Sequence, residues 1–339
     1  MDWTFLELAA GIALAAMTLR DVFDTVVVPG GSHASLHIAR RLVFVLLPVW
    51  KRLRGRRRGL STMFAPFALV ASFAIWMGLL AIAFGLMVHA AGTSFTPHIT
   101  SFGDAVFAAG SALVTIGQSS DTVRDGGRWV MLAAGFCGLG VMTMAVTYLL
   151  EVQSSIAHRD SGIFKLRTSA GEPPAAVALL EKFAAIGAVA ELPRILRDGR
   201  DWCAAVRQSH TSHPSLIYFR TTGTGSGWPA ALGALLDLAL IVERWLDMPD
   251  LRGLAVLLRE DGCRMGEEIG RLIALEPHAS PPDPKAASGM ARRLRAAGYR
   301  QQDGFDPEPF AKERETHCEW IRALAHHLGR PEPRLLPDD

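Results

Sequence analysis

The residues with the clearest chemical potential lie in the run Val114-Thr115-Ile116-Gly117-Gln118-Ser119-Ser120-Asp121. Thr115 offers a hydroxyl and a carbonyl, and Ile116 a carbonyl that a buried side chain would aim inward. Gly117 permits backbone conformations that β-branched residues resist. A single loop of this kind coordinates nothing. Oxygens from several such runs, brought together, can replace the water around a monovalent cation. The chemistry is therefore ligand exchange around an ion, with no covalent bond made or broken.

Such a run must be held by its neighbours. Just before it, Thr100-Ser101 open a short helical stretch, and Ser101 and Asp104 have the S-x-x-D spacing of a capping box. The helix is expected to run through Ala105 and Phe107 to about Leu113, only about 18 Å long and too short to cross a bilayer. Two apolar segments flank it, about Met63 to His89 and about Trp129 to Glu151, and no Asp, Glu, Lys or Arg occurs from Ser61 to Gly103. A short helix followed by glycine-containing chain between two spanning helices is a re-entrant loop. Unpaired backbone at membrane depth persists only where protein covers it or water reaches it. Gly135, Gly138 and Gly140 in the third segment allow close packing or bending.

A further apolar segment, about Trp3 to Val28, opens the chain and stops at Pro29-Gly30-Gly31. It has neither a basic leader nor a convincing cleavage site, so it reads as a retained helix. Arg20, Asp21 and Asp24 lie near its end, and Arg20 and Asp24 are spaced to pair along one face. Beyond it, residues 33 to 60 carry eight basic side chains, Arg40 to Arg58, with no carboxylate among them. Under the positive-inside rule that cluster faces the cytoplasm. With Asp2 and Glu7 at the entrance, the N-terminus lies outside, three helices cross, and the tail is cytoplasmic. The broken run Leu42 to Trp50 fits an amphipathic helix on the inner leaflet, with residues 40–58 against anionic headgroups. A nucleic-acid patch is the other reading of such a run, and the flanking spans argue against it.

After Glu151 the chain is polar. Helical spacing recurs over Pro174 to Leu196, Leu251 to Leu275 and Glu313 to Leu328. Trp228 to Val242 reads as a core helix, since it is too short to span and contains Asp237. Ile217 to Phe219 is the one strand candidate, and Glu276 to Pro284 divides the helices into two groups.

Here the chain resembles the pore domain of the potassium-channel superfamily, whose signature is Thr-Val-Gly-Tyr-Gly-Asp at the end of a pore helix. Ser101-Phe102-Gly103-Asp104-Ala105 looks like the start of that helix, and Thr115, Ile116 and Gly117 match Thr-Val-Gly. Gln118 stands for Tyr, Ser119 for the second Gly and Ser120 for Asp. The resemblance implies a homotetramer whose conduction filter is Thr115, Ile116, Gly117, Gln118 and Ser119, holding monovalent cations such as K+. It also implies an inner helix that gates near Gly135, Gly138 and Gly140. Leu19 to Pro29 and Ser212 to Arg220 also resemble stretches of bacterial ion-channel-like proteins.

The sequence thus predicts an all-α membrane protein of the inner (cytoplasmic) membrane. Residues 1–30 form an N-terminal spanning helix, 31–60 the basic amphipathic segment, 61–155 the pore domain and 156–339 a helical cytoplasmic domain. A non-conducting membrane-anchored sensor on the same scaffold is the alternative. No nucleophile, base and orienting group converge, so no enzyme is expected. Cys203, His210 and His213, and His317, Cys318, His326 and His327, match no usual zinc spacing, so no metal centre or other cofactor is expected. Thr221 to Gly227 lacks the lysine of a phosphate loop and reads as a linker. Four scattered cysteines imply no disulfide framework.

Overall fold

The computed structural model describes residues 3–28, 41–42, 45–46, 48, 64–117, 122–221 and 225–337. Most of the basic segment 31–60 lies outside the described residues, as do Gln118, Ser119, Ser120, Asp121 and Thr222 to Thr224. Among the described residues the chain is all-helical apart from one short ribbon. The helices are α1 (Trp3–Val26), α2 (Phe64–Ala90), α3 (Phe102–Leu113), α4 (Asp125–Ala170), α5 (Ala176–Ala185), α6 (Leu192–Ser212), α7 (Gly227–Arg244), α8 (Pro249–Leu272), α9 (Pro284–Ala296) and α10 (Pro307–Leu328). Strands β1 (Phe95–Thr96) and β2 (Thr122–Val123) pair antiparallel, Phe95 opposite Val123. The fold divides into two compact units, Met1–Val152 and Gln153–Asp339, and α4 carries residues of both.

In the first unit, α2 and α4 are long and apolar enough to cross a membrane. Helix α1 has 24 residues and carries Glu7, Arg20, Asp21 and Asp24. Arg20 and Asp24 pair at 3.6 Å, as their spacing predicts. The deeper charge is Asp21, fully buried, which accepts a hydrogen bond from Trp76 Nε1 at 2.8 Å. At the opposite end of α1, Glu7 Oε2 lies 2.8 Å from His89 Nδ1.

The helices of this unit approach through glycines. A Cβ at Gly11 would sit 2.6 Å from the Ala83 carbonyl oxygen, and one at Gly85 2.6 Å from the Val106 side chain. These contacts seat α1 on α2 and α2 on α3. Where helices are apolar on nearly every side, the hydrophobic effect gives little direction, and close backbone approach sets the packing.

The second unit is built on α7, in which every residue from Gly227 to Glu243 is buried, as its apolar run predicts. Helices α6, α8 and α10 surround it. Gly187, at φ +71°, breaks the predicted Pro174 to Leu196 helix into α5 and α6. Asp283 and Asp306 cap α9 and α10, accepting from Ala286 N at 3.0 Å and Glu308 N at 2.9 Å. Gly329, left-handed at φ 62°, ends α10.

Ile217 to Phe219 is not a strand. Pro214–Tyr218 form a 3-10 turn, and Arg159 takes the carbonyls that a sheet partner would otherwise need. Its Nη1 donates to Leu216 O at 3.1 Å and its Nη2 to Phe219 O at 3.0 Å.

Candidate functional site

Ser101 stands at the N-cap of α3 with extended backbone, φ −97° and ψ 132°, but its side chain makes no cap hydrogen bond. The predicted capping-box bond is therefore missing. The first turn closes through the backbone instead, Ala105 N donating to Ser101 O at 3.1 Å. Ala105, Ala108, Ala109 and Leu113 form the buried face of α3. Small side chains on that face are what allow a short helix to sit close between two longer ones.

Past Leu113 the chain turns on the carbonyls of its own last turn. Thr115 N donates to Ala112 O at 3.0 Å, and Ile116 N and Gly117 N both donate to Ser111 O, at 3.0 and 3.3 Å. Thr115 and Gly117 are left-handed, at φ 60° and 72°. Glycine adopts this freely, whereas at a β-branched threonine it costs about 1–3 kcal/mol and persists only where the surroundings impose it. The sequence anticipates the Gly117 backbone and gives no sign of the strain at Thr115.

The two ends of the loop are tied together. The ribbon β1–β2 joins the chain entering α3 to the chain entering α4, with Arg124 N donating to Ser94 O at 2.9 Å. Arg128 Nε reinforces the return by donating to Val123 O at 2.7 Å. Two-residue strands are too short to leave a sequence period, so neither is legible in advance.

The far point of the loop is fixed by Gly138. Any Cβ there would overlap the Leu113 carbonyl, so α4 lies directly against the end of α3. Gly138 is thirteen residues beyond Asp125, about 20 Å along α4. The end of α3 therefore lies about 20 Å along α4 from the ribbon end. That is about two-thirds of a hydrocarbon core. Of the other glycines in this stretch, Gly135 would place a Cβ 3.5 Å from Ala112 O, and Gly140 has open space around it.

Ile116 is 79% exposed, so the burial expected for it is not supplied by the described residues of this chain. Phe107 on α3 and Phe136 on α4 are likewise exposed, at 66% and 78%. Gln118 and Ser119 lie outside the described residues, so the candidate site is described at Thr115, Ile116 and Gly117.

In the second unit, Asp237 lies 80 residues from His317 in sequence, so no local spacing joins the two. It is fully buried on α7 and meets both His317 and Cys318. Arg314 already grips the carboxylate, its Nε at 2.8 Å from one oxygen and its Nη2 at 2.9 Å from the other, and His317 Nε2 lies at 3.1 Å. Burial opposes the Asp237 charge, yet Arg314 and His317 hold its pKa below the usual carboxylate value. Burial pushes the Cys318 thiol up to about 12, so it stays protonated at neutral pH. With a guanidinium in place and no thiolate, the cluster is an ion-pair network. His210 is also buried. Loss of water and the nearby Arg159 cation press its pKa down to about 3.

Comparison of the chain with protein-family models, curated proteins and solved structures found no match.

Proposed function

We propose that the protein is a tetrameric cation channel of the inner membrane, with Thr115, Ile116 and Gly117 contributing the inner oxygen rings of its filter. The observation that carries this reading is the tied loop: a twelve-residue helix between two long apolar helices, returning to a ribbon at its own start. Chain that enters apolar surroundings and returns needs cover for its backbone. The exposed Ile116, Phe107 and Phe136 are the surfaces that neighbouring copies would cover. The pattern of Thr115-Ile116-Gly117 after a short helix resembles the potassium-channel pore.

In this reading α1, α2 and α4 cross the membrane, with the N-terminus outside. The basic cluster lies at anionic headgroups, and the second unit is cytoplasmic. Gly138 packs the filter base on the inner helix, while Gly140, with nothing against it, is free for the inner helix to bend or for copies to approach. Gln118 removes the aromatic buttress of the related filters, and Ser119 makes a positive φ less accessible than glycine would. Fewer ordered oxygen sites in series give weak discrimination between potassium and sodium.

Reversal potential of the purified protein in planar bilayers, with potassium on one side and sodium on the other, tests this directly. The expected result is a cation current with a small shift from zero, moved toward potassium selectivity by Gln118→Tyr with Ser119→Gly. Strong potassium selectivity unchanged by the double substitution overturns the filter assignment, and a monomeric protein overturns the channel.

A further inference from the structure

The second unit contains a cavity of about 320 Å³ between the C-terminal part of α4 and helix α6, with α5 and α7 behind. Its two walls carry opposite charge. Lys165 lines one wall from α4, with His158 two turns before it on the same face. Asp198 and Asp201 line the other from α6.

Among the described residues none of these four side chains forms an ion pair or a hydrogen bond. Elsewhere in the unit, opposite charges do meet directly, as Arg293 does on Glu181 at 2.7 Å and Arg244 on Glu313 at 2.9 Å. Even Arg200, next to Asp201 in sequence, turns to Asp261 at 2.6 Å.

The floor explains the separation. Gly162 lets the Trp202 indole press against α4, and its Nε1 donates to Arg159 O at 2.9 Å. Arg159 is itself fully buried and fixed to the Pro214–Tyr218 turn, so Trp202 is a rigid spacer. Leu166, Leu179 and Leu235 complete an apolar base. The cavity is at the small end of the range for ligand sites.

We propose that this cavity binds a small zwitterion with an apolar body, of the free amino-acid class. Its ammonium lies at Asp198 and Asp201, its carboxylate at Lys165, and its hydrocarbon on Trp202 and the leucines. An anion or a cation alone would satisfy one wall and leave the other unmatched. The charged residues of the walls are solvent-exposed, so each contact is individually weak and recognition depends on both ends being met. The proposal goes beyond the channel reading and does not depend on conduction.

The test is titration calorimetry and thermal unfolding of the full-length protein in detergent, with L-leucine and L-phenylalanine as probes. Isoamylamine and 4-methylpentanoate, which each keep one of leucine's two charges, serve as comparison. The amino acids should bind at least about tenfold tighter than either single-charge analogue. Lys165→Glu or Asp198→Lys should each weaken leucine by about tenfold, and Lys165→Asp combined with Asp198→Lys should restore much of the loss. No binding by either amino acid into the millimolar range overturns the proposal, as does equal binding by a single-charge analogue or indifference to the substitutions. Spontaneous cross-linking of Lys165→Cys between copies would make the cavity a subunit interface and overturn it too.

Discussion

Around the 95–123 loop, helices meet through glycines and backbone oxygens; around α7 glycines such as Gly262, where a Cβ would sit 2.5 Å from Leu236, are joined by arginine forks on carboxylates. Gly138 takes the Leu113 carbonyl and Gly85 takes Val106. In the second unit Arg314 holds both oxygens of Asp237, and Arg259 holds Glu243 at 2.8 and 3.2 Å. The contrast follows from what each region can use. Helices that are apolar on all sides gain little direction from burial, so shape decides their register. Amphipathic helices are placed by burial, and bidentate pairs then fix their rotation. Among the described residues, polar side-chain contacts between helices of the first unit include Trp76 on Asp21 and His89 on Glu7, toward the two ends of α1.

The sharpest break of this contrast is expected at Asp237. Asp237→Ala strands the Arg314 cation in the core, and loss of one partner of a buried pair costs about 3–5 kcal/mol. Thermal unfolding of the full-length protein in detergent should show the transition of the second unit falling well below that of the unaltered protein. A shift of only a degree or two would show that the network is dispensable.

The second expectation concerns acid. His210 is neutral in the fold, with its pKa lowered to about 3 by burial and Arg159, against an ordinary 6.5. Below 6.5 the unfolded chain takes up a proton that the fold excludes. Its contribution is therefore complete above 6.5 and is lost progressively as pH falls toward 3. At pH 5 the loss is about 2 kcal/mol. His210→Gln should remove that part of the acid sensitivity, read as the change in unfolding temperature between pH 7.5 and pH 5 in the two proteins. Identical changes would rule out His210 as the source.

The smallest effects sharpen the first unit. Gly138→Ala drives a methyl into backbone and should cost about 1–3 kcal/mol or prevent assembly. Gly140→Ala, two residues away with nothing within contact distance, should be neutral or stabilise the helix by up to about 1 kcal/mol. Comparison of their melting temperatures checks the pair, and equal effects would remove the special status of Gly138.

How much of this was legible in the sequence follows the same division. The short helix before Thr115 and the buried α7 are set by local periodicity, and the Arg20–Asp24 pair by helical spacing. The ribbon is too short to have a period. The burial of Asp21 depends on Trp76, 55 residues away, and the ion-pair role of Asp237 on Arg314, 77 residues away. Ile217 to Phe219 have strand-like composition, yet Pro214–Tyr218 form a 3-10 turn, with Arg159 donating to the carbonyls of Leu216 and Phe219. The charged cavity was invisible because its four side chains come from helices whose contact no pattern encodes.

Asp237 and the chain that neutralises it are also separated in time. Helix α7 leaves the ribosome before α8, α9 and α10 exist, and Asp237 waits 77 residues for Arg314 and 80 for His317. At ordinary synthesis rates that interval is about 4 to 15 seconds. Throughout it the helix that is buried along nearly its whole length has only the end of α4, α5 and α6 to lean on and a carboxylate with no counter-ion. The newborn chain therefore passes through an obligatory vulnerable window, and a holding chaperone or a nearby membrane surface has its greatest leverage on yield there.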